Sequence, residues 1–166
     1  MNRLLLTNRQ KRMRTIVWIP VVIWMVVIFC FSSQTAGEST KVSGKTIQII
    51  AQKVYPQFGE KTVRQQQLLI QNLQHIVRKI AHFMEYTILG ILVTIAFLPY
   101  KIKTRNMFLV SLFGCVLYAS SDEFHQMFVP GRGPGVRDVL IDSCGALFGI
   151  IIILSITHRN KMKKHT

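Results

Sequence analysis

Acidic side chains are scarce in this chain of 166 residues: seven Asp and Glu stand against 21 Lys and Arg, for a formal net charge of +14. An excess of that size would suit a nucleic-acid partner, but no recognition motif accompanies it, and nucleic-acid binding is not expected. Cysteine is also sparse. Cys30, Cys115 and Cys144 lie singly in apolar runs at no metal-ligand spacing, and they read as buried free thiols acting as small hydrophobes. With no HExxH and no cysteine pair, no metal is expected, and no cofactor either. There is no internal repeat, so the chain reads as one unit rather than an array.

What the chain does have is apolar length. Hydrophobic residues make up 49% of it and the mean hydropathy is +0.31, too apolar for an ordinary soluble domain. Four spans stand out: Ile16–Phe31, Ile80–Tyr100, Met107–Phe124 and Val136–Thr157. Each is close to the roughly 20 residues that cross a hydrocarbon core of ~30 Å. Pro20 is tolerated near the start of the first, and Trp18 and Trp24 suit an interfacial belt. The basic stretch before that span resembles a signal peptide. However, the run is long for a signal and SSQTAGES is a weak cleavage site, so the span is read as retained.

Basic residues fall before span one (Arg3 to Arg14), between spans two and three (Lys101, Lys103, Arg105) and after span four (Arg159 to Lys164). The positive-inside rule then puts both termini in the cytoplasm and residues 32–79 outside. The expected layout is a basic tail over 1–15, a membrane domain over 16–157 and a basic tail over 158–166. In the external segment, Val42, Thr46, Ile49, Ile50 and Val54 recur at helical spacing, which predicts an amphipathic helix lying on the membrane. Pro56 and Gly59 end it, and from Thr62 a polar helix is expected to run straight into span two. The predicted fold class is all-α: a polytopic membrane protein of four transmembrane helices with an external amphipathic segment.

The few acids are unevenly placed. Glu38 and Glu60 lie well outside the spans, but Glu85, Asp122, Glu123, Asp138 and Asp142 lie within or at the edge of them. An ionisable group at mid-membrane costs about 2.5–3.5 kcal/mol or more, which makes each a functional-site candidate. All fall at the predicted external end of their span. At 100° per residue Lys79, His82 and Tyr86 share a face with Glu85 at its border, and Asp122, His125 and Gln126 share another continued by Ala119, Cys115 and Ser111. Asp138 and Asp142 are one turn apart on a stripe that continues into Gly145 and Gly149, a spacing that permits close helix approach. The charges therefore face the bundle, in one polar cup opening outward.

Three chemistries suit such a cup: an ion-pair lattice, an acid/base site or a ligand pocket. His82 beside Glu85 is either a histidine oriented for general base work or an interhelical hydrogen bond, and Asp122, Glu123 and His125 extend the acid/base set. The binding set is Gln34, Lys79, Tyr86, Gln126, Arg132, Arg137, Asp138 and Asp142, with Arg132 presented by the Pro- and Gly-rich turn 127–135 to hold a phosphate, a carboxylate or a structural partner. A transmembrane relay would need polar groups in the cytoplasmic halves, which are almost free of them.

Taken together, FSSQ (Phe31–Gln34), RKIAHFMEY (Arg78–Tyr86), SDEFHQMFVPGR (Ser121–Arg132) and RDVLIDSCGALFG (Arg137–Gly149) resemble the VanZ family of small bacterial membrane proteins. The pieces occur in the family's order and, with the spans, cover most of the chain. The resemblance implies a four-helix domain in the bacterial cytoplasmic membrane and a link to glycopeptide (teicoplanin) resistance, the property of the founding member. The partners it implies are membrane lipids together with a lipid-linked or cell-wall precursor or the glycopeptide itself. Whether the cup binds or catalyses is left open by the residues.

Overall fold

The computed structural model describes residues 7–35, 47–133 and 135–163, and every regular element among them is helical. The labelled helices are α1 (Asn8–Ile16), α2 (Ile19–Ser32), α3 (Val63–Phe97), α4 (Thr104–Gln126) and α5 (Val136–Met162). Residues 47–54 form a further helical stretch. Four segments are long and apolar enough to cross a membrane: Gln10–Ser32, Val63–Tyr100, Thr104–Gln126 and Val136–Met162. The four-span reading is thus borne out.

Each boundary has a local cause. Thr7 caps α1 in a reciprocal box with Gln10, and Pro20 sits in the first turn of α2, where its missing N–H costs nothing. Thr62 and Gln65 form the same box at the start of α3, so the polar stretch does run unbroken into the second span. At 35 residues α3 is about 52 Å long, well beyond a ~30 Å hydrocarbon core. Its Gln-rich first half therefore stands outside the bilayer. The helix tightens into a single 3-10 turn at Leu98–Tyr100, and Lys101 at φ 53° reverses the chain toward α4.

Parallel helices α3 and α5 form the spine. A Cβ added to Gly145, Gly149 or Gly90 would fall within 3.0 Å of Phe83 O, Thr87 O or Ala146 O respectively, so backbone meets backbone along two turns. Hydroxyls inside this seam are already satisfied: Thr87 donates to Phe83 O at 2.8 Å and Thr94 to Gly90 O at 2.7 Å. Helix α4 adds a stripe of Ser111, Cys115, Ala119, Asp122 and Gln126, the face read from the sequence. Helix α2 buries only Val21, Ile28 and Ser32, and about half of each of Val22, Ile23, Val26 and Phe29 is exposed. Leu109, Val110, Phe113 and Leu117 do the same on α4, and that outward apolar surface is what lipid covers.

Two expectations are corrected. Cys115 is buried, but Cys30 and Cys144 are exposed on the outer surface of the bundle. Trp18 sits near the basic end and donates to Tyr100 Oη at 3.0 Å, whereas Trp24 turns inward and donates to Glu85 O at 2.8 Å instead of joining a belt. In residues 47–54 the packed face is Ile47 and Ala51, while Ile49, Ile50 and Val54 are exposed. The stretch spends one face on the bundle and keeps Ile49, Ile50 and Val54 exposed, as a helix lying on a membrane would. Val42 and Thr46 of that prediction, and Pro134, lie outside the described residues.

Substituting Gly149→Ala is expected to force α3 and α5 apart, at a cost of about 1–3 kcal/mol, the usual range for overpacking. Gly114→Ala, where an added Cβ meets nothing within 4 Å, should stabilise by up to about 1 kcal/mol through helix propensity. Thermal unfolding of the detergent-solubilised protein measures both.

Candidate functional site

The polar groups of all four spanning segments meet at one end of the bundle. Helices α3 and α5 are parallel, so Lys79 near the middle of α3 and Asp138 in the first turn of α5 arrive at the same level and pair. The C-terminal ends of α2 and α4 reach that level from the opposite direction. There Gln126 Nε2 donates to Ser32 Oγ at 2.9 Å and to Asp122 Oδ2 at 3.1 Å, tying α4 to α2. Glu123 accepts from the Gly135 N–H that opens α5, a carboxylate placed where the helix dipole favours it.

Arg132 is held by a tight turn. Pro130 and Gly131 occupy its centre, Gly131 has φ 78°, and Arg132 N donates to Val129 O at 3.1 Å. This is the arrangement in which proline presets the second position and glycine supplies the left-handed third. The guanidinium then folds back onto the end of α2, with Nε 2.9 Å from Gln34 O and Nη2 3.2 Å from Phe31 O. Phe31 O also takes the Gln34 N–H at 3.3 Å and Gln34 lies just past the helix, so Arg132 adds a second donor that closes the C-terminal end of α2. Burial and then the nearby Arg78 charge push the Arg132 pKa below its ordinary value, opposed by Asp122, Glu85 and Glu123. A guanidinium starts so high that it stays charged at neutral pH.

His82 stands between two carboxylates, its Nδ1 3.7 Å from Glu85 Oε2 and 3.9 Å from Asp142 Oδ1. Both separations exceed a hydrogen bond, so these groups face one another without being locked together. Two clefts open beside it. One, of about 250 Å³, is walled by Phe31, Gln34, Ile47, Gln74, Val77 and Ala81 along with Arg78, His82, Glu85 and Arg132. The other, of about 200 Å³, is lined by His75, Arg78, Lys79, His82, Gln126, Arg132 and Asp138 with Gly131 and Gly133. Several buried polar atoms lack a hydrogen-bond partner: Arg78 Nε, His82 Nδ1, Tyr86 Oη, Asp122 Oδ1, Arg132 Nη1 and Asp142 Oδ1.

Of the residues singled out from the sequence, Gln34, Lys79, His82, Glu85, Tyr86, Asp122, Glu123, Gln126, Arg132, Asp138 and Asp142 gather at this end. Tyr86 is fully buried. His125 borders the cluster, with its Nδ1 buried and without a partner, and Arg137 alone stands apart. His125 stacks on Phe29 with ring centroids 4.5 Å apart, and Arg137 is exposed on the outer side of α5. The sequence reading passed over Arg78 and Gln74, which line the larger cleft, and His75, which lines the smaller. Their signal was legible: 74, 78, 82 and 85 form one helical stripe that continues the His82–Glu85 face outward. Among the described residues no group of three or more His, Cys, Asp or Glu side chains is placed to hold a metal ion.

Replacing Gln126 with Leu should remove the tie between α2 and α4 and leave Asp122 short of a donor. The expected loss is about 1–3 kcal/mol, the cost of stranding a buried polar group. Arg137→Gln, at an exposed position, should leave thermal stability unchanged.

Two of three comparisons found nothing: no curated protein and no solved structure matched the chain. The third matched the family model described as VanZ/LLP1 over residues 17–157. That interval contains all four spanning segments' apolar cores and every residue of the polar end. A four-helix membrane bundle that collects its carboxylates, histidines and arginines at one end, and matches that model over most of its length, belongs to the VanZ/LLP1 family.

Proposed function

We propose that the polar end faces outward at the level of the outer-leaflet headgroups, and that the chain alters susceptibility to teicoplanin-type glycopeptides by engaging an envelope component or the glycopeptide there. The orientation rests on the basic residues. Arg12, Arg14, Lys101, Lys103, Arg105, Arg159 and Lys161 cluster at the opposite end, as expected of a cytoplasmic face. The observation that carries the reading is the set of buried polar atoms left without partners around two open clefts. A lattice serving only to hold helices together accounts for Lys79–Asp138, Gln126–Ser32 and Glu123–Gly135. It leaves Arg78 Nε, Arg132 Nη1 and His82 Nδ1 unexplained, and native proteins rarely strand such atoms.

A second reading has its own observation. His82 between Glu85 and Asp142, beside a cleft, is a geometry for proton transfer, and a membrane enzyme acting on a lipid-linked or cell-wall substrate would use it with His82 as the transferring group. Apo distances of this length commonly shorten once substrate is bound.

Expression in a susceptible Gram-positive host tests both. Wild type is expected to raise the teicoplanin concentration needed to inhibit growth, and His82→Ala, Glu85→Gln, Asp122→Asn and Arg132→Gln to return it to that of the empty host at unchanged membrane abundance. No effect from abundant wild-type protein would end the susceptibility reading. A variant that loses its effect only in step with its abundance would assign that residue to the fold. Tags at both termini should be inaccessible from outside intact cells; labelling of either would overturn the outward orientation.

A further inference from the structure

We propose that the cleft between Arg78 and Arg132 is an oxyanion site that takes the phosphate of a lipid, whose hydrocarbon chain leaves along the adjoining apolar cleft. The proposal deepens the outward-site reading by naming what the site binds.

The two guanidiniums are unusual in what they lack. Among the described residues neither is ion-paired, although five carboxylates lie at the same end of the bundle. Each buries a nitrogen with no acceptor, Nε of Arg78 and Nη1 of Arg132. Arg132 is also fixed before any ligand arrives, because its Nε and Nη2 are held by Gln34 O and Phe31 O. What remains of its fork points at nothing in the protein. Both side chains are half-buried, but a buried N–H without a partner calls for an acceptor, and a charged acceptor makes the stronger bond.

Charge in the smaller cleft favours an anion. Arg78, Lys79 and Arg132 line it against a single carboxylate, Asp138, which Lys79 already neutralises. His75, His82 and Gln126 complete the wall with further polar groups, and Gly131 and Gly133 flank Arg132 without adding side chains of their own. The carboxylate of Glu85 lines only the larger cleft.

The larger cleft tells the source of the anion. Arg78, His82 and Arg132 line both clefts, so the two adjoin along these three residues. Beyond them the larger one is walled by Phe31, Ile47, Val77 and Ala81 on its apolar side and by Gln34, Gln74 and Glu85 elsewhere. Phosphate at the guanidiniums with hydrocarbon along these four side chains is the pattern of an amphiphile, whereas a soluble phosphate would leave the apolar wall unused. Phosphate also fits the depth: Arg78 begins the segment where α3 passes from its Gln-rich half into its apolar half, the level of a headgroup.

The test is equilibrium binding to the purified full chain in a neutral maltoside detergent. The probes are a chain-labelled fluorescent phosphatidic acid, the corresponding diacylglycerol and inorganic phosphate as competitor. Wild type should bind the phosphatidic acid saturably and the diacylglycerol not at all. Arg78→Gln and Arg132→Lys should each weaken binding about tenfold or more, the scale of one lost charge-assisted hydrogen bond. Arg64→Gln, which removes the same charge from an exposed position earlier on α3, should bind as wild type does. The Arg78 side chain makes no internal hydrogen bond among the described residues, so its variant should keep the wild-type Tm even if the Arg132 variant does not. Wild-type affinity in Arg78→Gln, or equal binding of the diacylglycerol, would overturn the site. Displacement by inorganic phosphate at the lipid's own concentration would overturn the lipid as its source. Because binding is read directly, failure here leaves the susceptibility experiment unaffected, and loss of susceptibility change with intact binding would fault the functional reading alone.

Discussion

Everything at the polar end depends on how closely α3 and α5 approach. Gly145 and Gly149 set their backbones against the carbonyls of Phe83 and Thr87, and any side chain there would separate the helices. Lipid supplies no hydrophobic drive for helix association, so contact of this kind is what membrane bundles rely on. The seam also fixes the relative height of the two helices. Because they run parallel, a shift of one turn would move Asp138 about 5.4 Å from Lys79 and Asp142 equally far from His82. The chemistry of the cup is thus indexed by glycines that take no part in it.

Helices α2 and α4 are held differently. Their apolar contact with the spine is narrow, a few residues in the case of α2, and polar ties at each end supplement it. At the basic end, Arg14 reaches Pro99 O at 3.3 Å and lies 4.8 Å over the Tyr100 ring. In mid-bundle, Tyr118 Oη donates to Met25 O at 2.6 Å and Trp24 to Glu85 O. Such bonds to main-chain carbonyls add direction to a contact that packing alone would leave free to slide.

Sequence showed the plan of this molecule more readily than its detail. Span positions follow from apolar length, and the inward faces of α4 and α5 follow from helical phase, because both depend on local periodicity alone. The Thr62 start of α3 was legible as well, since a capping box is a short-range signal. Phase could not tell which partner each polar residue would choose. Glu123 accepts from the Gly135 N–H with one oxygen, and His125 lies on the expected side of α4 with its ring stacked on Phe29, partners that phase alone does not give. Arg137 was grouped with Asp138 on proximity in sequence, although one residue is 100° of helix and enough to face outward. Arg78 needed the same phase argument: in a run of basic residues only its place on the stripe with His82 and Glu85 marks it, and composition does not tell which nitrogen is buried.

Arg132 does two things with one guanidinium. Two of its nitrogens close the end of α2, and the third borders the clefts. Any ligand that bonds to the third nitrogen also restrains the side chain that holds α2 in place. By linkage, occupancy and the position of α2 are then a single equilibrium, in which whatever steadies one steadies the other. A cup built this way would couple its contents to the seating of the end of α2 that Arg132 holds.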